Sequence, residues 1–181
     1  MNLFVTGGQL KADIEAIKNE LEVVTAQLLP AFYTFDTPSN DTAEVLRILE
    51  IEFENLTKKL CALQIAQNVY NTVNIVDVEG MGTPSLAYLI KIKAFVEKMQ
   101  SYWAKAAKYN PTAKYDYRHH LELTRRKEDE SANLAVSIEE ARTKHRFWLK
   151  RLQAVTAAIG NANARSIEIN LDVAIYDLVK G

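Results

Sequence analysis

Residues 41–73 read DTAEVLRILEIEFENLTKKLCALQIAQNVYNTV, and this stretch decides the fold. Leu46, Leu49, Phe53, Leu56, Leu60 and Leu63 recur at alternating steps of three and four residues. That spacing keeps one side of an α-helix apolar and marks helices packed at shallow angles. Val45, Ile48 and Ile51 widen the apolar face near its start. Ser39, Asn40 and Asp41 are all competent N-caps. Cys61 lies within this pattern and is expected to be a small buried hydrophobe, the usual habit of a free cysteine. Past Leu63 the same line continues through Gln67, Tyr70 and Asn74, with Asn68 and Asn71 beside it. Asn is a poor residue for a helix interior, so an amide-rich helix end implies hydrogen bonds beyond the helix itself.

The same grammar extends in both directions. Leu10, Ile14, Ile17, Leu21, Val24 and Leu28 predict a helix over 9–29, preceded by Gly7-Gly8 and stopped by Pro30. The aromatics Phe32, Tyr33 and Phe35 then anchor a loop rich in Pro and turn formers. Leu89, Ile92, Val96, Met99, Trp103 and Ala106 predict a third helix over 85–109, with Thr83 as N-cap and Pro84 at its first position. A fourth helix is predicted over 124–164 from Leu134, Ile138, Ala141, His145, Trp148, Leu152, Val155 and Ile159. The tail, 165–181, opens with the alternating Ile167, Ile169 and Leu171, and Ile175, Leu178 and Val179 suit a short docking helix. The expected fold is all-α: a single domain, 1–181, forming an elongated antiparallel four-helix bundle of two long helical hairpins. NIVDV (74–78) and SIEINL (166–171) are the best strand candidates and could pair as a small two-stranded piece at one end.

Composition excludes several classes. The 181 residues carry 22 Lys and Arg against 23 Asp and Glu, a net charge of −1. That balance argues against a globally basic nucleic-acid binder, so nucleic acid is an unlikely partner. A single cysteine cannot make an internal disulfide, and cytoplasm is the default compartment. The N-terminus has neither a basic segment nor a long apolar core, so it does not read as a signal peptide, and no apolar run suits a bilayer.

Candidate chemistry is sparse. No phosphate-binding loop, dinucleotide fingerprint or nucleophile elbow occurs, so no catalytic residue is assigned. No cofactor is implied, and no metal site either. The tandem His119-His120 would point to opposite faces of a strand, with Glu122 sharing only the face of His120. Tyr115 and Tyr117 interleave with a local basic patch at 118–127, offset by Glu128, Asp129 and Glu130. His145 lies on the seam of the fourth helix beside Phe147 and Trp148, where desolvation would keep it neutral and it could set register or respond to pH. In an up-down-up-down bundle the second and fourth helices end together. Asn68, Asn71 and Asn74 could therefore meet Asn161 and Asn163, either to cap helix ends and fix the adjoining turn or to line a polar pocket.

Four stretches in this order resemble the septicolysin-like family of small helical bacterial proteins. They are the Leu10-Ile14-Ile17-Leu21 run, the Asn68/Asn71 pair, the Gly82-Thr83 turn, and the Ile159/Asn163 helix ending. The resemblance implies an all-helical fold and supplies no established activity; Ala164 stands where the family tends to carry Trp. The expected function is a non-enzymatic helical scaffold that forms a homo-oligomer through bundle faces, with a protein partner possible. The alternative is a small-ligand-binding or enzymatic bundle whose polar site uses Asn68, Asn71, Asn74 and Asn163 with His145 or the 115–122 segment. A membrane-acting cytolysin, which the family name suggests, is disfavoured because the amphipathic helices are committed to seams.

Overall fold

Alternating apolar residues at the start of the chain make a strand that the hydrophobic pattern of 1–8 conceals by its shortness. In the computed structural model, which describes residues 1–32, 40–108 and 137–181, β1 (Asn2–Val5) leads into α1 (Gly7–Phe32) and α2 (Asn40–Val73). There follow α3 (Leu86–Lys108), α4 (Ile138–Ala164), β2 (Ile167–Asn170) and α5 (Val173–Lys180). The protein is all-α, with long helices packed in pairs and a small antiparallel sheet. The chain divides into two compact units, Met1–Tyr88 with Ala158–Gly181, and Leu89–Ala157.

In the first unit α1 and α2 form an antiparallel hairpin, because the start of α1 at Gly7 lies against Tyr70 near the end of α2. Leu10, Ile14, Ile17 and Val24 of α1 and Leu49, Leu63, Ala66 and Tyr70 of α2 are buried, whereas Phe53, expected on the α2 seam, is exposed. Each such aliphatic side chain removed from water stabilises by about 1.5–3 kcal/mol before entropy is counted. The strands close this unit. β1 and β2 pair antiparallel with Leu3 opposite Ile169 and Val5 opposite Ile167. Leu3, Val5 and Ile169 point inward and are buried, whereas Phe4 and Glu168 form an outer pair. α5 packs on α2, its Ile175, Tyr176 and Val179 are half-buried, and Asp172 caps it by accepting from the Ala174 N–H at 3.0 Å.

Several expected boundaries move. β2 does pair, but with β1 rather than with 74–78. The 74–78 stretch instead folds back on its own turn: Val76 N–H donates to Pro84 O and Val78 N–H to Gly82 O, burying Val76 and Val78. Gly80 and Gly82 close that turn at φ of 72° and 71°, a region that costs an L side chain strain. Because Pro84 is occupied in this pairing, the cap of α3 is Ser85, whose Oγ accepts from Tyr88 N–H, and not Thr83. Pro30 does not end α1 at once; the helix continues two residues further to Phe32. Thr6 caps its other end, accepting from Gln9 N–H at 3.1 Å, so Gly7 and Gly8 lie inside the helix. Of the expected fourth helix, 124–136 lies outside the described residues, and α4 begins at Ile138 with Ser137 as N-cap.

In the second unit the side chains of α3 and α4 meet in antiparallel order: Phe95 with Trp148, Gln100 with His145, and Trp103 with Lys144. Leu89, Val96, Ala141 and Val155 are its buried aliphatic residues among those described.

Candidate functional site

The end of α2 and the end of α4 meet in the first unit, and the meeting point is a backbone carbonyl. Ala162 is fully buried, near the end of α4. Its carbonyl oxygen accepts from the Tyr70 hydroxyl at 2.6 Å and from Asn74 Nδ2 at 3.1 Å. The carbonyl of Arg165 stands 2.9 Å from the same hydroxyl, so one O–H proton is shared between two acceptors. These are C-terminal carbonyls, which lie beyond the regular helical ladder; a tightened last turn gives Ala162 O the Arg165 N–H at 3.1 Å. Tyr70 and Asn74 supply donors from a neighbouring helix end, and both are buried, Asn74 at 1% exposure. A buried amide is tolerated only when its hydrogen bonds are made, and Asn74 makes them on three sides. Its own N–H donates to Tyr70 O, and its C=O accepts from Leu86 N–H, which ties the two ends of the 74–86 turn together.

Asn163 reaches a different partner. It lies against Gly7, the first residue of α1. A β-carbon at Gly7 would overlap Asn163 Oδ1 and stand 2.8 Å from Tyr70 Cε1. The glycine is there because the helix ends approach too closely for any side chain. Arg165 adds a further bridge from the end of α4 to the 74–86 turn, its Nη1 donating to Ile75 O at 3.4 Å.

The expected amide cluster is therefore divided. Asn74 and the neighbourhood of Asn163 are brought together around Tyr70. Asn68 faces solvent, and its backbone carbonyl accepts from Thr72 Oγ1 as part of the helix. Asn71 is half-buried. His145 belongs to the second unit, where it is half-buried and hydrogen-bonded to the Gln100 amide, 3.0 Å between the two Nε2 atoms. Beside it, Lys144 Nζ lies 4.6 Å above the ring of Trp103 and 2.8 Å from Glu140. Cys61 is exposed, not buried as expected: the α2 seam turns past it to Ala62 and Leu63. The 115–122 segment and the loop aromatics Tyr33 and Phe35 lie outside the described residues.

Two participants escape a reading based on amides. Tyr70 stands fully buried on the α2 seam, and a hydroxyl on a buried seam is itself a signal that an acceptor must face it. Gly7 reads as a helix-entry glycine until its neighbour Asn163 is seen. In chemical terms the arrangement is a set of hydrogen-bond donors already matched to the chain's own carbonyls. No nucleophile or acid–base pair takes part in it.

The chain matches no protein-family model, and no curated protein is similar to it. Among solved structures it is similar to a functionally unknown conserved protein from Corynebacterium diphtheriae, at 18% identity and a TM-score of 0.57. The similarity covers 93% of this chain and 100% of that one. It shows a shared fold.

Proposed function

We propose that the protein is a non-catalytic helical scaffold that associates with copies of itself. The observation that carries this reading is how the candidate site spends its polar groups. The Tyr70 hydroxyl and the Asn74 amide both end on Ala162 O, inside the molecule. A ligand would have to break those bonds to use the same donors, leaving the buried Ala162 O with the Arg165 N–H alone. The amide end is accordingly a fastening between helices.

Self-association is supported by the other end of the α1–α2 hairpin. Val45, Ile48 and Ile51 follow one another at steps of three along α2, and all are exposed, as are Phe53 and Val23. The later turns of the same helix bury Ala62, Leu63, Ala66 and Tyr70. An apolar stripe rising from a buried seam is the surface a second copy would cover. The resemblance to the septicolysin-like proteins belongs to this proposal, supported by the all-α fold. No described helix is long and apolar enough to cross a membrane.

Sedimentation equilibrium over the micromolar range tests the reading. The wild-type chain is expected to show a concentration-dependent oligomer, and Ile48→Asp to sediment as a monomer with unchanged helical circular dichroism. A wild-type chain that stays monomeric throughout overturns self-association.

A further inference from the structure

The near-neutral chain distributes its charge unevenly among its long helices. α1 and α2 together carry five Lys and Arg against nine Asp and Glu, whereas α3 and α4 carry ten against three. The three carboxylates of the α3–α4 pair are placed against Lys93, Lys144, and Arg142 with Arg146. On α3 the residues Lys91, Phe95, Lys98, Tyr102 and Lys105 succeed one another at steps of four and three. They therefore form one line along the helix, roughly 20 Å long at 1.5 Å per residue, with cation and aromatic alternating and no carboxylate on it.

The aromatic members of that line stand out into solvent: Phe95 is 52% exposed and Tyr102 61%. The line broadens onto α4. Phe95 meets Trp148 edge to face at 5.8 Å, and Trp148 meets Phe147, itself 53% exposed, at 5.4 Å. The Arg151 guanidinium lies 5.9 Å from the Phe147 ring. Tyr102 is held edge-on at 5.1 Å by Trp103, over which Lys144 sits. Rings propped by neighbouring rings are rigid platforms, and the cations flank them.

We infer that this face of the α3–α4 pair binds single-stranded nucleic acid. Lysines spaced along a helix follow a phosphate backbone, and exposed rings between them stack on bases. Other occupants fit less well. Protein interfaces are depleted in Lys at their cores, whereas here Lys separates the aromatics. A membrane-surface helix segregates apolar from cationic residues onto opposite faces, whereas here both share one line. A duplex hides its bases from stacking rings.

Fluorescence anisotropy of a labelled oligothymidylate of about 20 nucleotides with the full-length chain tests this. Binding is expected at low salt, weakening as salt rises. Tyr102→Ala and Phe147→Ala are each expected to weaken it roughly five- to hundredfold. Lys98→Ala is expected to reduce the slope of log affinity against log salt by about 1. Melting temperatures should fall by no more than a few degrees, since all three side chains are exposed and each ring loses little more than an edge-to-face contact. Heparin, which offers charge without bases, should bind with no dependence on Tyr102. No binding at low salt overturns the inference. So does oligonucleotide binding that Tyr102→Ala and Phe147→Ala leave intact, or tighter binding to anionic phosphatidylserine vesicles than to the oligonucleotide.

Discussion

The side-chain oxygen of Asn163 occupies the space that a β-carbon on Gly7 would need. Gly7→Ala should therefore destabilise the protein by about 1–3 kcal/mol through overpacking. Asn163→Ala removes the obstructing amide, so the double variant should lose less than the two single losses added together. Urea denaturation of the four chains measures that coupling. Strict additivity would show that Asn163 is not what excludes a side chain at Gly7.

Tyr70→Phe deletes one hydroxyl and should cost about 1–3 kcal/mol, because it strips the shared donor from Ala162 O and Arg165 O. Asn74→Ala should cost a similar amount. The two donors end on one oxygen, so the pair should be non-additive in the same denaturation assay.

Asn68→Ala should change stability by less than about 0.5 kcal/mol, since the side chain faces solvent. A loss as large as that of Asn74→Ala would mean the amides act as one cluster after all. Asparagines three residues apart on a helix share a face only approximately, and each meets its own surroundings. The four-helix pattern was legible because apolar steps of three and four persist through α1, α2, α3 and α4. The partner of β2 was not, because β1 offers only Leu3 and Val5 on its inner face and lies more than 160 positions away in the chain. Nor does a sequence show which carbonyl waits opposite Asn74. That depends on where two helices stop, and here their ends bring Asn74 to Ala162.

Cys61 should react with a chromogenic disulfide in the native state, one thiol per chain and without denaturant, because it is exposed. A thiol that reacts only after unfolding would contradict its placement outside the α2 seam.

Glu44 should titrate below the ordinary carboxylate range, held there first by its hydrogen bond to Arg47 and then by the charge of that guanidinium. Glu15 should do likewise through Lys18. A carboxylate lowered in the folded state favours folding above its unfolded pKa, and that contribution disappears as pH falls through the folded value. Both pairs are exposed, so the readout is a carboxyl carbon NMR titration. Arg47→Ala should return Glu44 upward and leave Glu15 where it was.

The pairing of Asn2–Val5 with Ile167–Asn170 also bears on how the molecule is made. A ribosome releases β1 long before β2, and its inner residues Leu3 and Val5 then have no strand to face until position 170 has emerged. During most of synthesis β1 is an unpaired edge, exposed to any extended segment nearby. The α1–α2 hairpin is local and can form early, while closure of its end by the strands is a late, long-range event. A nascent-chain stall before residue 167 would thus present a helical hairpin with an open end, an aggregation-prone form of the kind chaperones hold.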